Sequence, residues 1–115
     1  SAWADVEGDG EAAIVTFGSV TGVVREALAR AAERGVRAKL IALRLLAPAL
    51  PDRLDQTLAG VARVLVVEQN HSAQLLRYLR SVYDLPGKPS SFHRPGPLPL
   101  RPGELADAIV EWRNK

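Results

Sequence analysis

Residues 63–71 read Arg-Val-Leu-Val-Val-Glu-Gln-Asn-His. The run Val64–Val67 is too apolar for a sheet with one wet face, and such strands are usually parallel, with helices covering both sides. Four polar residues, Glu68, Gln69, Asn70 and His71, follow abruptly, as expected where a buried strand ends at the open edge of an α/β sheet. The segments around it fall into place on that reading. Residues 12–17 (AAIVTF) form a second short buried strand. Residues 36–43 (VRAKLIAL) form a third, alternating apolar and basic residues before turning wholly apolar. Between those two, Val24, Ala27, Leu28 and Ala31 recur at helical spacing within Gly22–Arg34, with Arg25, Arg30 and Glu33 elsewhere around the wheel. Gly35 is placed to end that helix in a left-handed conformation.

Downstream of residue 43, the LAPALP stretch (46–51) reads as a rigid connection. Pro51 and Asp52 open a short helix over 52–59, with Leu54 and Leu58 on one face and Gly60 as its stop. After the central strand, Asn70 or Ser72 can cap a helix whose Leu75, Leu76, Leu79, Val82 and Tyr83 make a wide apolar stripe. Residues 86–102 carry six of the eight prolines, and within them SSFH (90–93) adds one short edge strand. Pro102 suits the first turn of a final helix with Leu105, Ile109 and Trp112 aligned. Residues 1–11 are polar and rich in Gly and Asp, which suits a linker or tag remnant plus lead-in. Trp3 is expected to fold back on the body or to contact an upstream part. Residues 12–115 then make a single α/β domain, a three-layer, open and mostly parallel sheet.

Composition narrows the functional classes. A chain of 115 residues, 47% hydrophobic and 24% charged, has the balance of one ordinary globular domain. A net charge of +2 spread along the chain forms no phosphate-tracking stripe, which argues against nucleic acid. No apolar run approaches the ~18 residues of a membrane span. With no cysteine, the chain has no disulfide, no thiolate nucleophile and no ligand set of its own for cysteine-bound zinc or an iron–sulfur cluster. Methionine is also absent and the sequence begins Ser1-Ala2, so it reads as a domain excised from a longer chain.

Two places have the residues for chemistry. The turn Gly18-Ser19-Val20-Thr21-Gly22 leads from a strand into a helix, where backbone N–H groups and hydroxyls can hold an anion. Its spacing is neither G-x-G-x-x-G nor that of a P-loop, so an ordinary βα turn capped by Ser19 or Thr21 is the plainer reading. The second place is the tip Glu68-Gln69-Asn70-His71, on the same sheet edge. Glu68 is a candidate carboxylate in a partly buried site, expected to accept N–H groups of the Gly18–Gly22 turn, and His71 can titrate near neutral pH. No second acid, nucleophile or metal spacing accompanies them, so capping, turn formation and docking to another domain are the expected roles. No catalytic residue and no metal ligand is assigned. His93, in the Pro-rich loop beside Arg94, reads as a surface residue, and Arg77 and Arg80 as a solvated helix face.

Three segments, IVTFGSVTGVVREA (14–27), LRLLAPALP (43–51) and VLVVEQNHSAQL (64–75), together resemble a known family. It is the C-terminal domain of the α chain of 2-oxoacid:ferredoxin oxidoreductases, similar in turn to the C-terminal domain of transketolase. The family's Gly-Ser-x-x-Gly turn matches Gly18, Ser19 and Gly22. Ala47 and Ala49 stand where the family has aromatics around Pro48, and Ala73 where it has glycine. The resemblance implies an intact enzyme that oxidatively decarboxylates a 2-oxoacid to an acyl-coenzyme A, using thiamine diphosphate, Mg²⁺, an iron–sulfur cluster and coenzyme A, with ferredoxin as acceptor. It implies that none of these cofactors is bound by this domain, which instead contacts other domains of the same α subunit and the β subunit, in the cytoplasm. The fragment alone is then expected to be inactive, and free to pair as a homodimer through uncovered apolar surface. Two other readings stay open: a free-standing module holding a phosphorylated ligand at Gly18–Gly22, and the C-terminal domain of another transketolase-like enzyme.

Overall fold

A computed structural model describes residues 4–44, 54, 56–69, 74–82, 85–94 and 99–115. The strands are β1 (Ala4–Glu7), β2 (Ala12–Phe17), β3 (Lys39–Leu43), β4 (Arg63–Glu68) and β5 (Ser90–His93), and the helices are α1 (Thr21–Glu33), α2 (Gln74–Val82) and α3 (Pro102–Arg113). The sheet order is β1-β3-β2-β4-β5. β3, β2, β4 and β5 run parallel, and β1 lies antiparallel on β3. The open, mostly parallel sheet expected from Val64–Val67 is the observed one.

Two apolar layers sandwich the sheet because alternate residues of each buried strand point to opposite faces. On one face Ile14, Leu40, Leu65 and Val67 pack with Val24, Ala27 and Ala31 of α1 and Leu105, Ile109 and Trp112 of α3. On the other, Val15, Ile41, Val64 and Val66 pack with Leu54, Leu58, Leu75, Leu76 and Leu79. Residues 54, 56 and 57 are helical, and Leu58 N–H donates to Leu54 C=O at 2.8 Å, within the span expected to hold a short helix. The LAPALP connection, Trp3, Asp52 and Tyr83 lie outside the described residues.

α1 ends as its sequence requires. Gly35 takes φ +82°, Gly35 N–H donates to Ala32 C=O, and Val36 N–H reaches back to Ala31 C=O at 3.0 Å. That pair of bonds satisfies carbonyls the helix would otherwise leave open. α3 starts from Arg101 in extended conformation with Pro102 in its first turn and Glu104 beside the positive end of the helix dipole.

The lead-in reading of residues 1–11 needs correction at Ala4–Glu7, which form an edge strand. Ala4 is fully buried against the Val15–Ile41 layer. The acids that made this stretch read as linker are paired across the strand: Asp5 with Arg44 and Glu7 with Arg25. Such charges also guard an exposed edge against pairing with another chain. Arg44 grips Asp5 through two nitrogens, at 3.1 and 2.8 Å, and this hydrogen-bonded pairing holds the Asp5 carboxyl below the usual carboxylate range against a smaller opposing effect of burial. A depressed carboxyl favours the folded state above its unfolded value and loses that contribution as pH falls through the folded value. Carbon-detected NMR titration should therefore find Asp5 ionising below an ordinary aspartate, with Arg44→Ala returning it to the normal range. An unchanged midpoint in that variant would rule out the fork as the cause.

Candidate functional site

Connectivity places the rim. From β2 the chain crosses through α1 to β3, whereas from β4 it passes through α2 to β5 on the other side. Where neighbouring parallel strands send their connections in opposite directions, a crevice opens outside their C-terminal ends. Thr16 lies opposite Val67 in the register, so the next residues, Phe17 and Glu68, end adjacent strands at that crevice. The Gly18–Gly22 turn and the start of the Glu68–His71 tip therefore share one edge, as their sequence positions imply. Asn70 and His71, like the alternative cap Ser72, lie outside the described residues.

Glu68 is 5% exposed, and its carboxylate is hydrogen-bonded at the start of the following helix. It accepts the N–H of Leu75 at 2.6 Å and that of Leu76 at 3.2 Å, at the start of α2. The reason is local. Helix starts leave N–H groups without intrahelical partners, and a carboxylate there gains both hydrogen bonds and the dipole interaction. Glu68 thus fastens the end of β4 to the helix that follows it. Gln69 is exposed and donates through Nε2 to Arg94 C=O at 3.3 Å, tying the same tip to the end of β5.

The Gly18–Gly22 segment is not an open loop capped by a hydroxyl. Gly18, at φ +74°, begins a 3₁₀ turn over Gly18–Val20 that runs directly into α1, with Thr21 N–H donating to Gly18 C=O. Val20 occupies the cap position of α1 and no side-chain capping bond is made; Thr21 and Gly22 are inside the helix. Continuous winding from residue 18 displaces both hydroxyl residues from the place where a side chain could cap α1. Beneath this turn Thr16 is fully buried, and its Oγ1 has no hydrogen-bond partner among the described residues.

Phe17 is the rim residue that sequence reading missed. It closes an apolar run and looks like core, yet it is 39% exposed. Position in the strand was the available signal, since Phe17 is the last residue of β2. His93 is exposed, with Nδ1 3.0 Å from Ser91 Oγ. Arg94 pairs with Glu104 and lies over the Phe92 ring, 5.6 Å from its centroid. Arg77 and Arg80 are exposed, as a solvated face requires.

Chemically the rim offers backbone, amide and apolar surface. Among the described residues no three His, Cys, Asp or Glu side chains come together in a group able to hold a metal. Among the described residues Glu68 and Thr16 are the buried polar ones, and the carboxylate of Glu68 already holds α2. These residues do not fit a diphosphate–Mg²⁺ site. Among the described residues no helix is long and apolar enough to cross a membrane.

The fold defines a class, a small α/β domain built on an open, mostly parallel sheet. Residues 10–86 match the family described as pyruvate:ferredoxin oxidoreductase core domain II, and the chain belongs to that family. It is 41% identical over 108 residues to 2-oxoacid:ferredoxin oxidoreductase 2, subunit alpha, of Aeropyrum pernix, a match covering 90% of this chain and 16% of that protein. It superimposes with a TM-score of 0.83, at 32% identity, on the 2-oxoglutarate:ferredoxin oxidoreductase of Magnetococcus marinus, whose structure holds 2-oxoglutarate, coenzyme A and succinyl-CoA; that match covers 94% of this chain and 19% of the other. The α chain of a probable 2-oxoacid ferredoxin oxidoreductase from Thermoplasma acidophilum shares the fold over the full length of both chains, with a TM-score of 0.65 and 21% identity.

Proposed function

We propose that this chain is a non-catalytic interface domain of the α subunit of a 2-oxoacid:ferredoxin oxidoreductase. The intact enzyme would convert a 2-oxoacid to an acyl-coenzyme A with ferredoxin as acceptor, in the cytoplasm. Thiamine diphosphate, Mg²⁺, the iron–sulfur cluster and coenzyme A would be held by other domains of the α subunit and by the β subunit. When bound there, thiamine diphosphate supplies the electron sink for decarboxylation. This chain's part is to form one wall of the assembled enzyme.

The observation that carries this reading is the character of the rim. Its buried carboxylate, Glu68, is engaged by its own helix, while a large apolar side chain, Phe17, stands exposed beside it. A crevice built for chemistry would invert that arrangement. In the proposed contact Phe17 packs against a neighbouring domain and Gln69, Asn70 and His71 meet its polar groups. Glu68 acts from behind by fixing where the tip lies. The Gly18, Ser19, Thr21 and Gly22 segment gives the neighbouring backbone or an anionic group a close approach.

Phe17→Ala tests this. In the isolated chain the change should cost only about 0.5 kcal/mol, as for other partly exposed positions away from a core. In the complete enzyme it should weaken subunit assembly or lower 2-oxoacid oxidation by about tenfold, the loss of one well-packed aromatic anchor. Normal assembly and turnover of the complete variant enzyme would refute the interface role.

A further inference from the structure

At the end of the sheet opposite the rim, β4 and β5 begin beside the last turn of α3. A cleft of about 450 Å³ opens there among Ala62, Arg63, Lys88, Ser90, Trp112 and Lys115. Every charged side chain lining it is cationic. Arg63 donates through one Nη to the carbonyls of Trp112 and Arg113, both at 2.9 Å, which fixes its guanidinium at the mouth of the cleft. Its other N–H groups have no partner among the described residues. Lys88 makes no hydrogen bond or ion pair with any described residue. Its loop is nevertheless held close to the sheet, because Gly87 packs against the Ala62 carbonyl. The Lys115 ammonium makes a long contact, 3.9 Å, to Glu111, with both side chains about three-quarters exposed.

We propose that this cleft binds a phosphoryl group. Cations from three separate segments, lining one cleft together with the half-buried Ser90, suit a tetrahedral oxyanion offering three acceptor oxygens. A carboxylate offers two oxygens in one plane and leaves part of that donor set unused. A second cleft of about 300 Å³ shares Ser90, Trp112 and Lys115 and continues over Leu65, Phe92 and Ala108, with the exposed Glu111 at its edge. An apolar body attached to the phosphoryl group would lie there. The cleft uses none of the rim residues, so it stands or falls independently of the interface role.

The test is a ¹⁵N NMR titration of the chain with inorganic phosphate and, separately, with phenyl phosphate, at matched ionic strength. Saturable shifts are expected at the Lys88, Ser90 and Ser91 amides and at the Trp112 indole. Tighter binding of phenyl phosphate assigns the site to phosphate esters, and equal binding assigns it to free phosphate. Lys88→Glu should weaken either ligand by about tenfold or more, since a cation on the oxyanion becomes a repelling charge. Its melting temperature should match the parent, because Lys88 is exposed and makes no hydrogen bond or ion pair with any described residue. Absence of shifts at the cleft would overturn the proposal, as would shifts confined to the Gly18–Thr21 turn or affinity unchanged in Lys88→Glu. A polyglutamate peptide binding the cleft more tightly than phenyl phosphate would also overturn it, by showing that carboxylates are preferred.

Discussion

Glu68→Ala is expected to lower the unfolding free energy by about 3 kcal/mol, with a fall in Tm of roughly 15 °C for a domain of this size. The carboxylate is 5% exposed and bonds two backbone N–H groups, those of Leu75 and Leu76. Hydrogen bonds to an ionised group contribute about 1.5–3 kcal/mol each, and truncation leaves both donors buried without the acceptor. Removing the negative charge also forfeits its interaction with the positive end of α2. Glu68→Gln keeps the volume and one acceptor oxygen, so it should lose about half as much. Thermal and urea unfolding of the two variants would measure the difference. If alanine cost no more than a surface change, the carboxylate would not be holding the helix. The same experiment bears on function, because a Glu68 that holds α2 is not available as an acid or base at the rim.

How much of this was legible beforehand depends on where each residue's partners lie. β2, β4, α1 and α3 could be read because their apolar spacing and their end signals, Gly35 and Pro102, are local to the segment. β1 could not, because its stability comes from pairing with β3 and from Arg44 and Arg25, all far along the chain. Four residues carrying two acids have no strand signature of their own. Glu68 illustrates the same limit at the site. Its burial could be inferred from the strand before it, but its bonds to the start of α2 depend on which N–H groups point at it. Phe17 was obscured for the opposite reason. Composition assigns a phenylalanine to the core, whereas this one, at the last position of β2, is 39% exposed. Local rules thus delivered the scaffold, and the character of the rim came from contacts between segments.

Gly87→Ala should be as damaging as the loss of Glu68, for an unrelated reason. Gly87 has φ +64°, a conformation that costs a residue with a Cβ about 1–2 kcal/mol. In addition, a Cβ there would lie 2.8 Å from the carbonyl oxygen of Ala62. That oxygen belongs to backbone that cannot easily move. Ala62 N–H is bonded to Glu11 C=O, and the next residue, Arg63, begins β4 and is tied to the end of α3. Relief of the clash would therefore displace the 85–89 loop away from the sheet, and with it Lys88 and the entry to β5. Gly35→Ala supplies the comparison. Gly35 has φ +82° with nothing within 4 Å of the added carbon, so it should show the conformational cost alone, about 1 kcal/mol. The expected total for Gly87→Ala is about 3 kcal/mol, leaving roughly 2 kcal/mol for the steric conflict. Urea denaturation of both variants beside the parent would resolve the two contributions. Equal losses would mean that the loop yields freely, and that the approach of Gly87 to Ala62 does not anchor the edge of the sheet.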